Sequence, residues 1–220
     1  PVFPHLIDAM QTAYPDLKII TVYGSTEAEP IAHIAWDDVR KEDHQAMQSG
    51  EGLLVGKAVS VTTVMICESA DSNKIGEIAV TGDHVLKGYL NGNGDSESKF
   101  IYQDKIWHRT GDMGYLDNQN RLWLVGRKNA VFQISDKQIY PFGIECAVLH
   151  HPSVLRCAVM ELSSRPLLCL ELSDDNLEQV TEDLDQYSFL EFIQLPSIPM
   201  DKRHNAKVDY PELKKMLEQL

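Results

Sequence analysis

Thr110-Gly111-Asp112 is followed by an apolar run, Leu122-Trp123-Leu124-Val125, and then by Gly126-Arg127-Lys128. A short apolar run between turn-forming residues reads as a buried strand. This spacing predicts an acid, Asp112, and a base, Arg127, on two neighbouring turns that flank the strand. A carboxylate placed there can accept both hydroxyls of a ribose. A guanidinium nearby can donate to the same sugar or to phosphate. A turn aspartate that caps its own backbone fits the same residues equally well.

The rest of the chain alternates apolar runs with helical spacing, which predicts a mixed α/β (α+β) chain. Leu6, Ile7, Met10 and Ala13 give a helix over 5–14, closed by Pro15. Leu17–Tyr23 reads as a buried strand that delivers Gly24 to a loop, and Trp36–Gln48 as a polar helix. Val59–Ile66 and Ile75–Thr81 read as strands around a polar turn at 69–73. Asn91–Ser98, rich in Gly and Asn, reads as a surface loop. Lys105–Arg109 and Arg121–Val125 bracket a turn at 117–120. A boundary near Lys128-Asn129 separates residues 1–127 from a compact unit at 128–220, of about 90 residues and so of ordinary domain size.

In that second unit, 130–134 and 137–140 read as a hairpin turning at Ser135-Asp136, and Pro141 opens a helix to about residue 150. Val154–Leu162 and Pro166–Leu172 read as strands, 176–187 as a helix and 189–195 as extended. Asp209 with Glu212 resembles a capping box, with Pro211 in the first turn and Leu213, Leu217 and Leu220 on one apolar face.

Composition narrows the function classes. Hydrophobic residues make up 43% of the 220, so cores can form. The net charge of −13, with 33 acidic against 20 basic residues, disfavours nucleic acid, whose binding runs on Lys and Arg. It leaves room for an anionic nucleotide, which needs only local positive groups and backbone donors. Cys67, Cys146, Cys157 and Cys169 form no Cys-x-x-Cys pair and read as buried free thiols, which points to the cytoplasm. There is no signal peptide and no apolar run of membrane-spanning length. A start at Pro1, without Met, fits a piece of something longer or a processed chain.

Tyr23-Gly24-Ser25-Thr26-Glu27 can carry chemistry. Gly24 lets backbone approach a ligand, Thr26 offers a hydroxyl to phosphate, and Tyr23 can stack on a flat base. Glu27 suits Mg²⁺, which beside nucleotide phosphates takes one or two carboxylates. A solvated loop with a core tyrosine is the plain alternative. His33, His84, His150 and His151 lack acidic partners at metal-ligand spacing. Trp107 and His108 read as packing, and Cys146 as a core thiol. Lys207 reads as part of a basic surface loop or as a lone cation able to reach a phosphoryl or carboxylate oxygen.

Together, Tyr23-Gly24-Ser25-Thr26-Glu27, Gly76-Glu77-Ile78 with Gly88-Tyr89, Thr110-Gly111-Asp112, Gly126-Arg127-Lys128, Tyr140-Pro141 with Ile144-Glu145, and Lys207 resemble the acyl-adenylate-forming superfamily in its own order. The resemblance covers essentially the whole chain. It implies the rest of a large AMP-binding domain followed by a small mobile lid domain. It implies ATP-dependent activation of a small carboxylic acid, fatty-acid-like, with pyrophosphate release and then an acyl-CoA-type product. ATP, AMP, Mg²⁺ and CoA would be its ligands. Tyr23 would border adenine, with Gly24 and Ser25 in the same nucleotide-contacting turn. Thr26 would contact the α-phosphate and Glu27 would hold Mg²⁺. Asp112 would bind the ribose and Arg127 would support it. Asn129 falls at the hinge, and Lys207 would bridge phosphate and substrate carboxylate.

There are two departures. The family's phosphate loop lies upstream of the Tyr-Gly-Ser-Thr-Glu segment, and nothing before Tyr23 matches it. That implies a missing N-terminal part and a fragment inactive by itself. Asp136 stands where the family has a glycine beside the CoA route. Trp107-His108-Arg109-Thr110-Gly111-Asp112, Arg165-Pro166-Leu167-Leu168-Cys169 and Arg203-His204-Asn205-Ala206-Lys207 also resemble the olefin-pathway β-lactone synthetases, which need no CoA. A module that binds nucleotide or protein without chemistry is the remaining alternative.

Overall fold

The structure is a computed structural model that describes residues 2–67, 75–202 and 207–219. The expected turn at 69–73, Leu220 and the segment Arg203–Ala206 lie outside the described residues.

Helix α1 (Pro4–Ala13) leads to the hairpin β1 (Ile20–Ser25) and β2 (Ala28–Ala35). Then come α2 (Lys41–Gln48), β3 (Leu53–Ala58), β4 (Thr63–Cys67) and β5 (Gly76–Thr81). A one-turn helix α3 (Asp95–Ser98) precedes β6 (Lys99–Tyr102), the long β7 (Lys105–Leu116) and β8 (Arg121–Arg127). These strands form one sheet in the order β1-β2-β3-β8-β7-β5-β4, with β6 also on β7. Among the described strands β1 pairs only with β2, and its residues Ile20 and Val22 are 60% and 56% exposed.

The second part begins with the hairpin β9 (Phe132–Ile134) and β10 (Lys137–Ile139), and helix α4 (Pro141–Val148). It continues with β11 (Val154–Leu162), β12 (Arg165–Leu172), α5 (Leu177–Asp183), β13 (Glu191–Gln194) and α6 (Tyr210–Leu217). β12 is central, antiparallel to β11 and parallel to β13. Its continuous apolar run is explained by burial on both faces. Leu168 and Leu170 enter a core with α4 and α5, and Leu167 and Cys169 enter another with Leu213 and Leu217 of α6. The Asp209 side chain accepts from the Glu212 N–H at 3.1 Å and caps α6, but the Asp209 N–H donates to the Pro199 carbonyl, so the expected capping box is only half formed. All four cysteines are buried and lie outside any disulfide.

α4 is buried nearly all round. Cys146 enters the core of the first sheet, whereas Ile144, Ala147 and Val148 enter the core with β11 and β12. A Cβ on Gly143 would stand 2.3 Å from the Gly50 carbonyl oxygen, so only glycine allows this approach. α2 is tied to β8 by ions: Arg121 donates from Nη1 and Nη2 to the two Asp43 carboxylate oxygens at 2.7 Å, and from Nε to Asp117 at 2.8 Å.

Several expectations are corrected. Thr110-Gly111-Asp112 lies inside β7 and Arg127 ends β8, so the acid and base face each other across paired strands and not on two turns. The first strand starts at Ile20, later than expected, and turns back at once into β2. β3 was not anticipated, and Val59–Thr62 precedes β4 as a turn and not as strand. The 91–98 loop contains α3, and the expected helix 36–48 is a 3₁₀ turn at Trp36–Asp38 followed by α2.

Candidate functional site

The Thr110-Gly111-Asp112 segment is a bulge. On β5 and β7, Arg109 pairs with Ala79 and Met113 with Glu77, which leaves Thr110, Gly111 and Asp112 opposite Ile78 alone. The extra residues bend the strand and redirect a side chain. Gly111 takes φ +72°, a left-handed conformation that favours glycine. Thr110 Oγ1 donates to the Ile78 carbonyl at 2.9 Å and accepts from the Asp112 N–H at 3.1 Å. The threonine hydroxyl thereby replaces a broken rung of the ladder. Each residue of the motif has a local task, and the outcome is a fixed carboxylate.

Asp112 and Arg127 are register partners, and Arg127 Nη1 donates to Asp112 Oδ1 at 2.8 Å. The Tyr23 hydroxyl donates to Asp112 Oδ2, also at 2.8 Å. Tyr23 is on β1, four strands away in the sheet order. A flat sheet would separate them by nearly 20 Å, at about 4.8 Å per strand. The sheet therefore curls until its edge strand reaches over β7. Each Asp112 oxygen holds one donor, and a carboxylate has about four acceptor positions. Two remain for a pair of vicinal hydroxyls. Burial holds the Tyr23 hydroxyl in its neutral, donating form, well above its usual range, and the Asp112 charge adds to this.

Thr26 and Glu27 form the two-residue turn between β1 and β2, with Thr26 exposed. Ser25 Oγ is buried beside the Glu27 carboxylate. Gly24 sits at an irregularity in the β1–β2 register, and a Cβ there would stand 2.9 Å from the Ala28 carbonyl. The close approach that Gly24 permits is thus to its own neighbouring strand, where the sequence suggested a ligand. Tyr23 is 8% exposed, so its ring is mostly packed.

Glu27 Oε1 accepts from the Tyr89 hydroxyl at 2.9 Å, and the Glu27 carbonyl accepts from the Leu86 N–H at 2.8 Å. Burial works to raise its pKa, but the Tyr89 hydrogen bond and other donors outweigh it and hold the carboxyl below its ordinary value. Among the described residues no three His, Cys, Asp or Glu side chains gather as a metal cage. A cation at Glu27 would therefore take its other ligands from phosphates and water, which is how Mg²⁺ sits with nucleotides. Sequence reasoning gave no role to Tyr89, because nothing in the spacing links it to Glu27 across 62 positions.

The hydrogen bonds join Tyr23, Asp112 and Arg127, with Glu27 on the adjoining turn. They do not join Asn129 or Lys207 to that group. Asn129 is exposed in the 3₁₀ turn Lys128–Ala130. Beside it, Lys128 Nζ and Arg109 Nη1 both donate to buried Glu77 at 2.8 Å. Lys207 is exposed and makes no ion pair among the described residues, but its backbone is pinned. Its carbonyl accepts from the Asp201 N–H at 2.7 Å, and Met200 bridges to Val208.

No family model matches the chain. A 4-coumarate–CoA ligase of Glycine max is 27% identical over 193 residues, 85% of this chain and 65% of the ligase. An olefin β-lactone synthetase of Xanthomonas campestris is 26% identical over 249 residues, 97% of this chain and 45% of the synthetase. An o-succinylbenzoate coenzyme A synthetase of Bacillus subtilis, solved with ATP and magnesium, superposes with TM-score 0.67 at 25% identity. It covers 91% of this chain and 42% of that one. The chain spans less than two thirds of the length of each of these proteins. In sequence and fold it is similar to the C-terminal part of acyl-adenylate-forming, AMP-binding enzymes.

Proposed function

We propose that the protein activates a small carboxylic acid with ATP, forming an acyl-adenylate and releasing pyrophosphate. The observation that carries this reading is Asp112, held at one oxygen by Tyr23 and at the other by Arg127 with acceptor positions to spare. In this role Asp112 takes the ribose hydroxyls and Arg127 holds the carboxylate in place. Thr26, exposed on the next turn, donates to the α-phosphate, and the buried hydroxyl of Ser25 lies beside it. Tyr23 closes the ribose end and presents a ring edge to the base.

Mg²⁺ held by Glu27 would supply positive charge against the repulsion between a carboxylate and the triphosphate. Lys207 supplies a second positive charge, near the phosphoryl and carboxylate oxygens. For that it must come to the Glu27 turn from outside the hydrogen-bonded group. We therefore place a division between 1–127 and 128–220, with Asn129 as the hinge. The large sheet and β11–β13 have their own cores, which supports this division, while Cys146 of α4 packs into the first. Four buried thiols support a reducing compartment, the cytoplasm. Among the described residues no helix is long and apolar enough to cross a membrane.

Two fates of the adenylate are open to such a site. In one, CoA takes the acyl group of a fatty-acid-like substrate. In the other, a β-hydroxy acid closes on itself as a β-lactone. Exposed Asp136, at the β9–β10 turn, favours the second reading, because it adds negative charge where an anionic cofactor would pass. The deciding experiment is carboxylate-dependent pyrophosphate release from ATP by the full-length protein, with fatty and β-hydroxy acids and CoA withheld. Turnover on β-hydroxy acids alone supports lactone formation. A stoichiometric burst that turns over only with CoA supports the ligase. No release with any acid refutes carboxylate activation.

A further inference from the structure

Glu27 is braced from a strand that the nucleotide reading leaves unused. Lys99, the first residue of β6, pairs in register with His108 of β7. Its ammonium donates to the Leu86 carbonyl at 2.6 Å and to His108 Nδ1 at 3.0 Å. It also stands 5.1 Å from the centroid of the Tyr89 ring. Leu86 and Tyr89 are the two residues that hold Glu27, one through its backbone N–H and the other through its hydroxyl. Lys99 therefore grips both supports of Glu27 without bonding to Glu27 itself.

We propose that Lys99 is a positioning residue for Glu27. It fixes the Glu27 carboxylate in a metal-ready orientation through the Tyr89 ring and the Leu86 backbone. The inference rests on the reading of Glu27 as the carboxylate that holds the metal. The cation over the ring draws electron density from the phenol and makes its hydroxyl a better donor to the carboxylate. The bond to Leu86 fixes the strand segment that meets the Glu27 turn. Held this way, Glu27 Oε1 is committed to Tyr89, and Oε2 is the oxygen presented to a cation. Losing a group that orients a metal ligand typically costs about 10- to 100-fold in metal affinity.

The test is Mn²⁺ binding to the protein with a non-hydrolysable ATP analogue, read by the loss of the free-ion electron paramagnetic resonance signal. AMP binding without metal serves as the control. Lys99→Met is expected to weaken Mn²⁺ binding about tenfold. Lys99→Arg, which keeps a cation over the ring, is expected to restore most of it. Tyr89→Phe should cost as much, and the double variant less than the sum of the two single losses, because Lys99 acts in part through Tyr89. AMP affinity should stay unchanged throughout, which also reports that each variant is folded. Wild-type Mn²⁺ binding in Lys99→Met, alongside lost binding in Glu27→Gln, would overturn the role of Lys99 and leave the nucleotide reading intact. Failure of the wild-type protein to bind Mn²⁺ with the analogue would overturn the metal role of Glu27, and the proposal with it.

Discussion

A single side chain, Asp112, receives donors from two strands, and its replacement tests the ribose role directly. Asp112→Asn keeps the shape but removes the charge. Hydrogen bonds to charged groups are worth about 1.5–3 kcal/mol, so AMP affinity should fall about 10- to 100-fold. Titration calorimetry with AMP reads this, and unchanged affinity would exclude the assigned role. Lys207 differs, because its side chain is exposed and makes no ion pair among the described residues. Lys207→Ala should lower the adenylation rate about 100- to 1000-fold while the melting temperature holds. Pyrophosphate-release kinetics beside a thermal melt check both halves of that statement. The residue types of the site were legible in the sequence, but their contacts were only partly so. Thr-Gly-Asp suits a turn and a bulge alike, because both need a left-handed glycine and a short polar side chain. The choice between them is made by the pairing of β5 with β7, which spacing does not encode. The bond from Tyr23 to Asp112 depends on how far the sheet curls.

At the level of elements, α4, β11 and α6 meet at Glu145. Its Oε1 accepts from the Val159 N–H and from the Tyr210 hydroxyl, both at 3.0 Å. Burial pushes this carboxyl up to about 7, although the two donors pull it partly back. The folded state therefore keeps a proton that the unfolded chain releases near 4.5. The stabilisation is complete below pH 4.5, declines as pH rises toward 7, and is flat above. The loss is about 3 kcal/mol at most. Urea unfolding at pH 5 and pH 7 should show this decline in the wild type and not in Glu145→Gln, and equal slopes would remove Glu145 from the account. Arg121 anchors α2 to β8, and Arg121→Met leaves buried Asp43 with the half-exposed Arg40 as its remaining cationic partner. Chemical denaturation should report a loss of about 3–5 kcal/mol, and a loss below 1 kcal/mol would show the ion pair to be dispensable. Elements with strong local punctuation were legible: the β9–β10 turn, Pro141 at the start of α4, the Asp209 cap, and the long apolar runs of β11 and β12. β2 and β3 were not. β2 has Pro30 and three alanines, a poor strand signature, and β3 breaks its apolar run at Gly56.

For the whole molecule, charge and shape oppose each other. The net charge of −13 keeps copies apart at low ionic strength, and salt weakens that repulsion as the screening length falls to about 10 Å at 0.1 M. Among the described residues the large sheet, meanwhile, ends on one side in β1, with Ile20 and Val22 turned outward. A row of unspent amide and carbonyl groups flanked by apolar side chains is a template on which a foreign strand can crystallise. Such an edge makes the molecule's colloidal behaviour a function of salt. Raising the ionic strength should shift sedimentation-velocity profiles toward larger species, whereas Val22→Lys should keep them monodisperse by placing a gatekeeper charge on the rim. A wild-type profile indifferent to salt and concentration would mean that the rim is guarded by something other than charge.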